Sequence, residues 1–140
     1  MASHPSFSII APIYGVERYI VNCADSLLGQ TYDNIQFIFV NDGTKDASID
    51  LLNKLIEQKY SSLRDRIVIV NKRNEGLPAA RRTGMEYVTG DYVLHVDSDD
   101  WVQPELLELV NKAFEDHDVE SVWFNARTIV EKTGNWSPLF

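Results

Sequence analysis

Cysteine is nearly absent: Cys23 is the only one in 140 residues. No intrachain disulfide can form, and nothing in cysteine usage points to an oxidising compartment. Long apolar runs are absent too. The longest is about six residues, far below the roughly 20 that span a bilayer. Met1 to Ser8 hold no basic stretch followed by an apolar one, so no signal peptide is expected. Basic residues are outnumbered, with 13 Lys+Arg against 21 Asp+Glu and a formal charge of −8. That balance argues against a nucleic-acid partner, because duplex binders present a net basic face. The expectation is a soluble cytoplasmic chain without a membrane segment, whose parent protein could itself associate with a membrane.

What is present is ordinary for a globular domain: 44% hydrophobic and 24% charged residues. The length suits one domain with a real core, taken as residues 1–140. Short apolar runs alternate with helical periodicities. Phe7–Ala11, Ile35–Val40, Ile67–Val70 and Tyr92–Val96 read as strands, with Pro12 stopping the first and Ser121–Phe124 as a weaker fifth. Runs so continuous suit strands covered on both faces, as in a parallel sheet.

Between them, Tyr19, Ile20, Cys23, Leu27 and Leu28 form one apolar stripe, and Ile49, Leu52, Leu55 and Ile56 form a second. Thr44 or Asp46 can cap that second helix. A third helix is predicted from Leu77-Pro78 to Val88, with Gly90 as its C-terminal cap. A fourth has Pro104 in its first turn and Glu105 and Glu108 near its positive end. Thr128–Val130 could form a strand, whereas Gly134–Pro138 reads as a loop. The order predicts an α/β fold, Rossmann-like and doubly wound, with a mostly parallel sheet.

In such sheets ligands bind beyond the carboxyl ends of the strands. The residues found there are Pro12-Ile13-Tyr14-Gly15, Asn41 to Asp46, Asn71 to Gly76, and Asp97-Ser98-Asp99-Asp100. Three carboxylates within four residues repel one another unless a cation joins them, and oxygen donors suit Mg2+ or Mn2+. Taken alone the run is an ordinary solvated loop or helix cap; its place after a buried strand favours a site. Asp42 can accept from a ribose hydroxyl or a base N–H, or form an Asx-turn into Gly43. Asn74-Glu75-Gly76 leads into a helix bearing Arg81 and Arg82. Only one of these adjacent arginines can face the crevice, where its planar fork would suit a diphosphate. Tyr14 can stack on a base or simply pack. His95, Cys23, Trp101 and Trp123 read most simply as packed residues, or for the tryptophans as interface mass.

Five ordered segments carry a resemblance: Ser8 to Tyr14, Leu27 to Tyr32, Val40 to Asp46, Asn74 to Arg81, and Gly90 to Asp100. Together they resemble the N-terminal donor-binding part of a family 2 glycosyltransferase with the GT-A fold, over roughly residues 6 to 125. The resemblance implies an enzyme that takes a nucleotide-diphosphate sugar, commonly a UDP-sugar, with Mn2+ or Mg2+. It implies inverting transfer to the hydroxyl of a glycan or lipid-linked acceptor, as in polysaccharide biosynthesis. Carried over, Pro12, Tyr14 and Asp42 would line the nucleoside pocket, with Asn74 and Gly76 beside it. Arg81 would face the nucleotide or diphosphate, Asp97 and Ser98 would lie near the ribose or sugar, and Asp97 and Asp99 would hold the metal.

Two features depart from the family. Arg82 stands where an Asn is more usual. The catalytic base lies well downstream of the DxD segment in the family, and nothing marks Glu120 or Glu131 for that role. The base is therefore expected beyond Phe140, and this chain is expected to bind donor but transfer little or nothing alone. Exposed apolar surface from Trp123 to Phe140 leaves a homo-oligomer open.

Other classes fit less well. A dinucleotide-dependent oxidoreductase wants a glycine-rich turn after the first strand, and a P-loop wants Gly-Lys-Ser/Thr; neither occurs. A sugar nucleotidyltransferase would typically show a glycine-rich loop with a basic residue after strand 1. The remaining rivals are a receiver-like, metal-binding signalling module, which would need acids where Pro12 and Tyr14 stand, and a non-enzymatic assembly module.

Overall fold

The computed structural model describes residues 4–129 and 136–138, the side chains only as far as Ala126. Four parallel strands form one sheet: β1 (Phe7–Ile13), β2 (Ile35–Asn41), β3 (Ile67–Asn71) and β4 (Tyr92–His95), in the order β3-β2-β1-β4. The chain winds outward from β1 through β2 to β3, then crosses back to place β4 on the other side of β1. The direction of winding therefore reverses between β1 and β4. In register, Phe7 lies beside Ile35 on one side and Tyr92 on the other.

Alternation along β1 and β2 explains the layers. Phe7, Ile9, Ala11 and Ile13 share a core with Phe37 and Phe39. The same core takes in Ile20, Cys23 and Leu27 of α1 (Ile20–Leu28), Leu52 and Ile56 of α2 (Ser48–Lys59), and Leu107 and Phe114 of α4 (Leu106–Asp116). The opposite face is smaller: Ile10, Ile38 and Val40 meet Ala80 of α3 (Leu77–Met85). Gly84 lets α3 approach closely, since a Cβ there would sit 2.6 Å from the Ile10 side chain. The doubly wound α/β fold predicted from the sequence is present. Among the described residues no helix is long and apolar enough to cross a membrane.

Several boundaries differ from the sequence reading. Pro12 does not stop β1, which runs on to Ile13. Ile10 and Pro12 point their polar backbone groups to the β4 side, where Ile10 accepts from the Val96 N–H. Pairing with β4 ends at Ile10 and His95, so the N–H that Pro12 lacks falls beyond the ladder. Helix α3 ends at Met85, not Val88, in a tightening turn where the Glu86 and Tyr87 N–H groups donate to Thr83 and Gly84. Gly90 is not its cap. It abuts β1 instead, donating its N–H to Ser8 Oγ at 2.9 Å. Pro104 lies in the turn before α4 rather than within its first turn, and its carbonyl accepts the Thr31 N–H.

Strand β4 is not covered on both faces, because Val93 and His95 are exposed while Tyr92 and Leu94 pack against the larger core. Ser121–Phe124 forms no strand, and Trp123 is 92% exposed, uncovered by the described residues. The later pair, β5 (Arg127–Ile129) and β6 (Trp136–Pro138), is antiparallel. The Thr128–Val130 strand is thus present as far as Ile129, with Val130 outside the described residues. Trp136–Pro138 is strand rather than loop, because pairing with β5 satisfies its backbone, and its proline sits at the end.

Candidate functional site

The four loops beyond the strand carboxyl ends meet in one cleft of about 390 Å³. Pro12 comes from the end of β1, Tyr14 and Val16 from the loop after it, and Asp42 from the second loop. Asn74, Gly76, Leu77 and Ala80 come from the third loop and the start of α3, and Asp97, Ser98 and Asp99 from the fourth. Seven of the eight residues expected to bind donor line it, and the eighth, Arg81, reaches it through Asp97. Val16, Leu77 and Ala80 were not singled out from the sequence. Their apolar character carries no chemical signature; only the α3 spacing from Gly76 could have flagged Ala80.

Asp42 is 3% exposed, yet its carboxylate is amply hydrogen-bonded. Its Oδ1 accepts from Lys72 Nζ at 3.2 Å and from the Glu75 N–H at 3.0 Å. Its Oδ2 accepts from the Gly76 N–H at 3.0 Å. A carboxylate offers about four acceptor positions, so roughly one remains, on Oδ2. Burial pushes this carboxyl up, but the Glu75 N–H, the Lys72 ammonium and the Gly76 N–H outweigh it and hold it below the ordinary range. Gly76 has φ +95°, a conformation side chains rarely adopt, and this turn lets consecutive N–H groups converge on one carboxylate. Asp42 does not make the Asx-turn into Gly43; the loop is held instead by Asn41, whose Oδ1 accepts the Thr44 N–H three residues on at 3.0 Å.

The neighbouring loop is tied to the first. Thr44 Oγ1 accepts the Gly15 N–H and donates to Asp46 Oδ1, and Ser48 Oγ accepts the Val16 N–H. Asp46 Oδ1 accepts both the N–H and the hydroxyl of Ser48, so Asp46 caps the start of α2. Burial would raise its pKa, but these bonds and the Glu17 N–H hold it at about 2.

The fourth loop is built differently. Asp97, Asp99 and Asp100 each bring a carboxylate oxygen within 4.8 Å of the others, and Asp99 and Asp100 are exposed. Asp97 Oδ1 accepts from a terminal Arg81 nitrogen at 2.7 Å, while Arg81 Nε is buried without an acceptor among the described residues. Arg82 is exposed, so one of the two arginines faces the crevice, as helical spacing requires. Desolvation first, then the charges of Asp99 and Asp97, raise the pKa of Asp100. Three hard oxygen donors in mutual repulsion fit a small divalent cation.

Ser98 is 4% exposed, and its hydroxyl donates to the Pro12 carbonyl at 2.6 Å. Its hydroxyl proton is thus committed to joining the fourth loop to the end of β1. Cys23 lies beneath this loop, fully buried, as a small core residue. Desolvation and then the Asp100, Asp99 and Asp97 charges push its thiol up to about 12. His95 is exposed, not packed; partial desolvation and then the Arg81 charge lower its pKa against the pull of Asp97. Trp101 is 48% exposed and is not core mass either. Glu120 is exposed and is not among the residues lining the cleft; Glu131 lies outside the described residues.

The chain is similar to known proteins in sequence and in fold. Glycosyltransferase GlyA of Streptococcus pneumoniae is 36% identical over 127 residues, 91% of this chain and 18% of that protein. Putative glycosyltransferase EpsH of Bacillus subtilis is 39% identical over 104 residues, 74% of this chain and 29% of that protein. The chain thus spans well under half the length of these relatives. Among solved structures, S. aureus TarS 1-349 in complex with UDP superposes with a TM-score of 0.70 at 26% identity, over 81% of this chain and 33% of that one. The mannosyltransferase PcManGT from Pyrobaculum calidifontis, in complex with GDP-Man and Mn2+, shares the fold at 21% identity, with a TM-score of 0.67 over 79% of this chain and 32% of that one. The family described as Glycosyl transferase family 2 matches residues 8–139, and the chain, with its parallel GT-A-type sheet and DxD-like acidic loop, belongs to that family.

Proposed function

We propose that residues 1–140 form the donor-binding domain of a longer glycosyltransferase and bind a UDP-sugar together with Mg2+ or Mn2+. The observation that carries this reading is the convergence of Asp42, Tyr14 and the acidic loop on one cleft. The TarS structures with UDP and with UDP-GlcNAc support uridine as the base.

Pro12 and Tyr14 would bound the nucleoside, with the exposed Tyr14 ring free to stack. Asp42 Oδ2 would accept from a base or ribose donor. Arg81 would orient Asp97 and present positive charge toward the diphosphate. Asp97 and Asp99 would hold the cation, with Asp100 beside them. A bound divalent ion would screen the diphosphate charge and stabilise it as a leaving group in an inverting transfer to a glycan or lipid-linked hydroxyl. No residue of this chain is given the role of base that deprotonates the acceptor; we place that group beyond Phe140. A cytoplasmic setting suits the free, buried Cys23, and the exposed Trp123 and Phe124 are where a second copy would pack.

Calorimetry of UDP with Mn2+ tests the donor site. Saturable, metal-dependent binding is expected, and its absence would overturn the reading. Steady glycosyl transfer to an added acceptor by these 140 residues would refute the placement of the base outside them.

A further inference from the structure

Lys72 follows β3 and does not line the cleft. Its side chain is nonetheless only 12% exposed. All three ammonium protons have acceptors: Asp42 Oδ1 at 3.2 Å, Glu75 Oε1 at 3.1 Å and the Arg73 carbonyl at 2.9 Å. The Glu75 backbone N–H returns to Asp42 Oδ1, closing a ring from Asp42 through Lys72 and Glu75 back to Asp42. The Lys72 N–H also donates to the Asn41 carbonyl at 3.0 Å, so the residue is tied to β2 by backbone and by side chain.

This arrangement has two consequences. First, the Lys72 charge is matched by two carboxylates, and its ammonium has no proton left for a diphosphate. Second, Lys72 fixes Asp42 Oδ1 and the turn that brings the Glu75 and Gly76 N–H groups onto the carboxylate. The one acceptor position left on Asp42 thereby points where a ligand donor can meet it. Resting on the donor-site reading above, we infer that Lys72 is a positioning residue: it acts through Asp42 to hold the acceptor for the nucleoside end of the donor and does not touch the diphosphate.

The test is calorimetry of the full chain with UDP and, separately, with UMP, each with Mg2+. Lys72→Met removes the charge at similar length. It is expected to weaken both ligands equally, by about tenfold, the scale of one charge-assisted hydrogen bond. Lys72→Arg, which keeps a cationic donor, is expected to recover most of that loss. Thermal melting reports whether each variant folds, and Lys72→Gln, which keeps a donor without charge, replaces the methionine variant if that one does not. Unchanged affinity in the neutral variants overturns the inference while leaving the donor site intact. A loss confined to UDP also overturns it, because it would make Lys72 a diphosphate ligand. Failure of the unsubstituted chain to bind either nucleotide overturns the donor-site reading, and the inference falls with it.

Discussion

The two acidic stations of the cleft are opposites. Asp42 is buried and takes three hydrogen bonds from its own chain, which keep it ionised. Asp97, Asp99 and Asp100 crowd together at the surface; Arg81 engages Asp97, and desolvation, then the charges of Asp99 and Asp97, raise Asp100. One station is finished by folding and keeps a single acceptor to offer. The other holds unresolved repulsion that a cation would relieve. A chain of net charge −8 can in this way accommodate an anionic ligand without a basic face.

Substitutions at the two stations should therefore behave differently. The largest effect is expected from Asp42→Ala. It leaves the Glu75 and Gly76 N–H groups and an ammonium without their acceptor, and should cost about 2–4 kcal/mol of stability in denaturant unfolding, together with nucleotide binding. Next comes Asp99→Ala, which should weaken metal-dependent UDP binding about tenfold or more by calorimetry. Its melting temperature should be unchanged or raised, since it removes repulsion. A fall in stability there as large as for Asp42→Ala would erase the distinction.

The pH dependence follows from the folded-state carboxyls. Asp42 and Asp46 are held below their ordinary values, so their contribution is present above about pH 4. It is lost as pH falls toward about 2, the folded value of Asp46. Chemical unfolding at pH 5 and pH 3 should show the lower stability at pH 3. Protonation of Asp100, raised in the folded state, works in the opposite direction, so Asp100→Asn should steepen that loss slightly. The smallest effect concerns Cys23. A fully buried thiol at about 12 should remain unreactive toward a disulfide reagent at neutral pH until the chain unfolds.

Much of this was legible in the sequence because the informative features are local. β1 and β2 announce themselves as continuous apolar runs, and the polar segments that follow the four strands name the cleft. The acid triplet needs only its own spacing. Edges were less legible. Pro12 reads as a strand terminator unless one knows that β4 ends beside Ile10. Gly90 reads as a helix cap unless Ser8 is known to lie against it. Val93 and His95 look like core until β4 is seen to border the described sheet. Lys72 was invisible as a tether because its partners, Asp42 and Glu75, meet it only through the β2–β3 pairing and the turn at Gly76. Trp123 could be read from composition as core or as interface mass; among the described residues nothing covers it, which leaves the interface reading.

The most direct test is residue-resolved amide shift mapping of the full chain titrated with UDP and Mg2+. Saturable perturbations are expected in all four loops, at Tyr14, Asp42, Glu75 and Gly76, and Asp97 to Asp99, with α2 and α4 nearly silent. Perturbations confined to the acidic loop, or centred away from Asp42, would contradict a single nucleotide-sugar cleft.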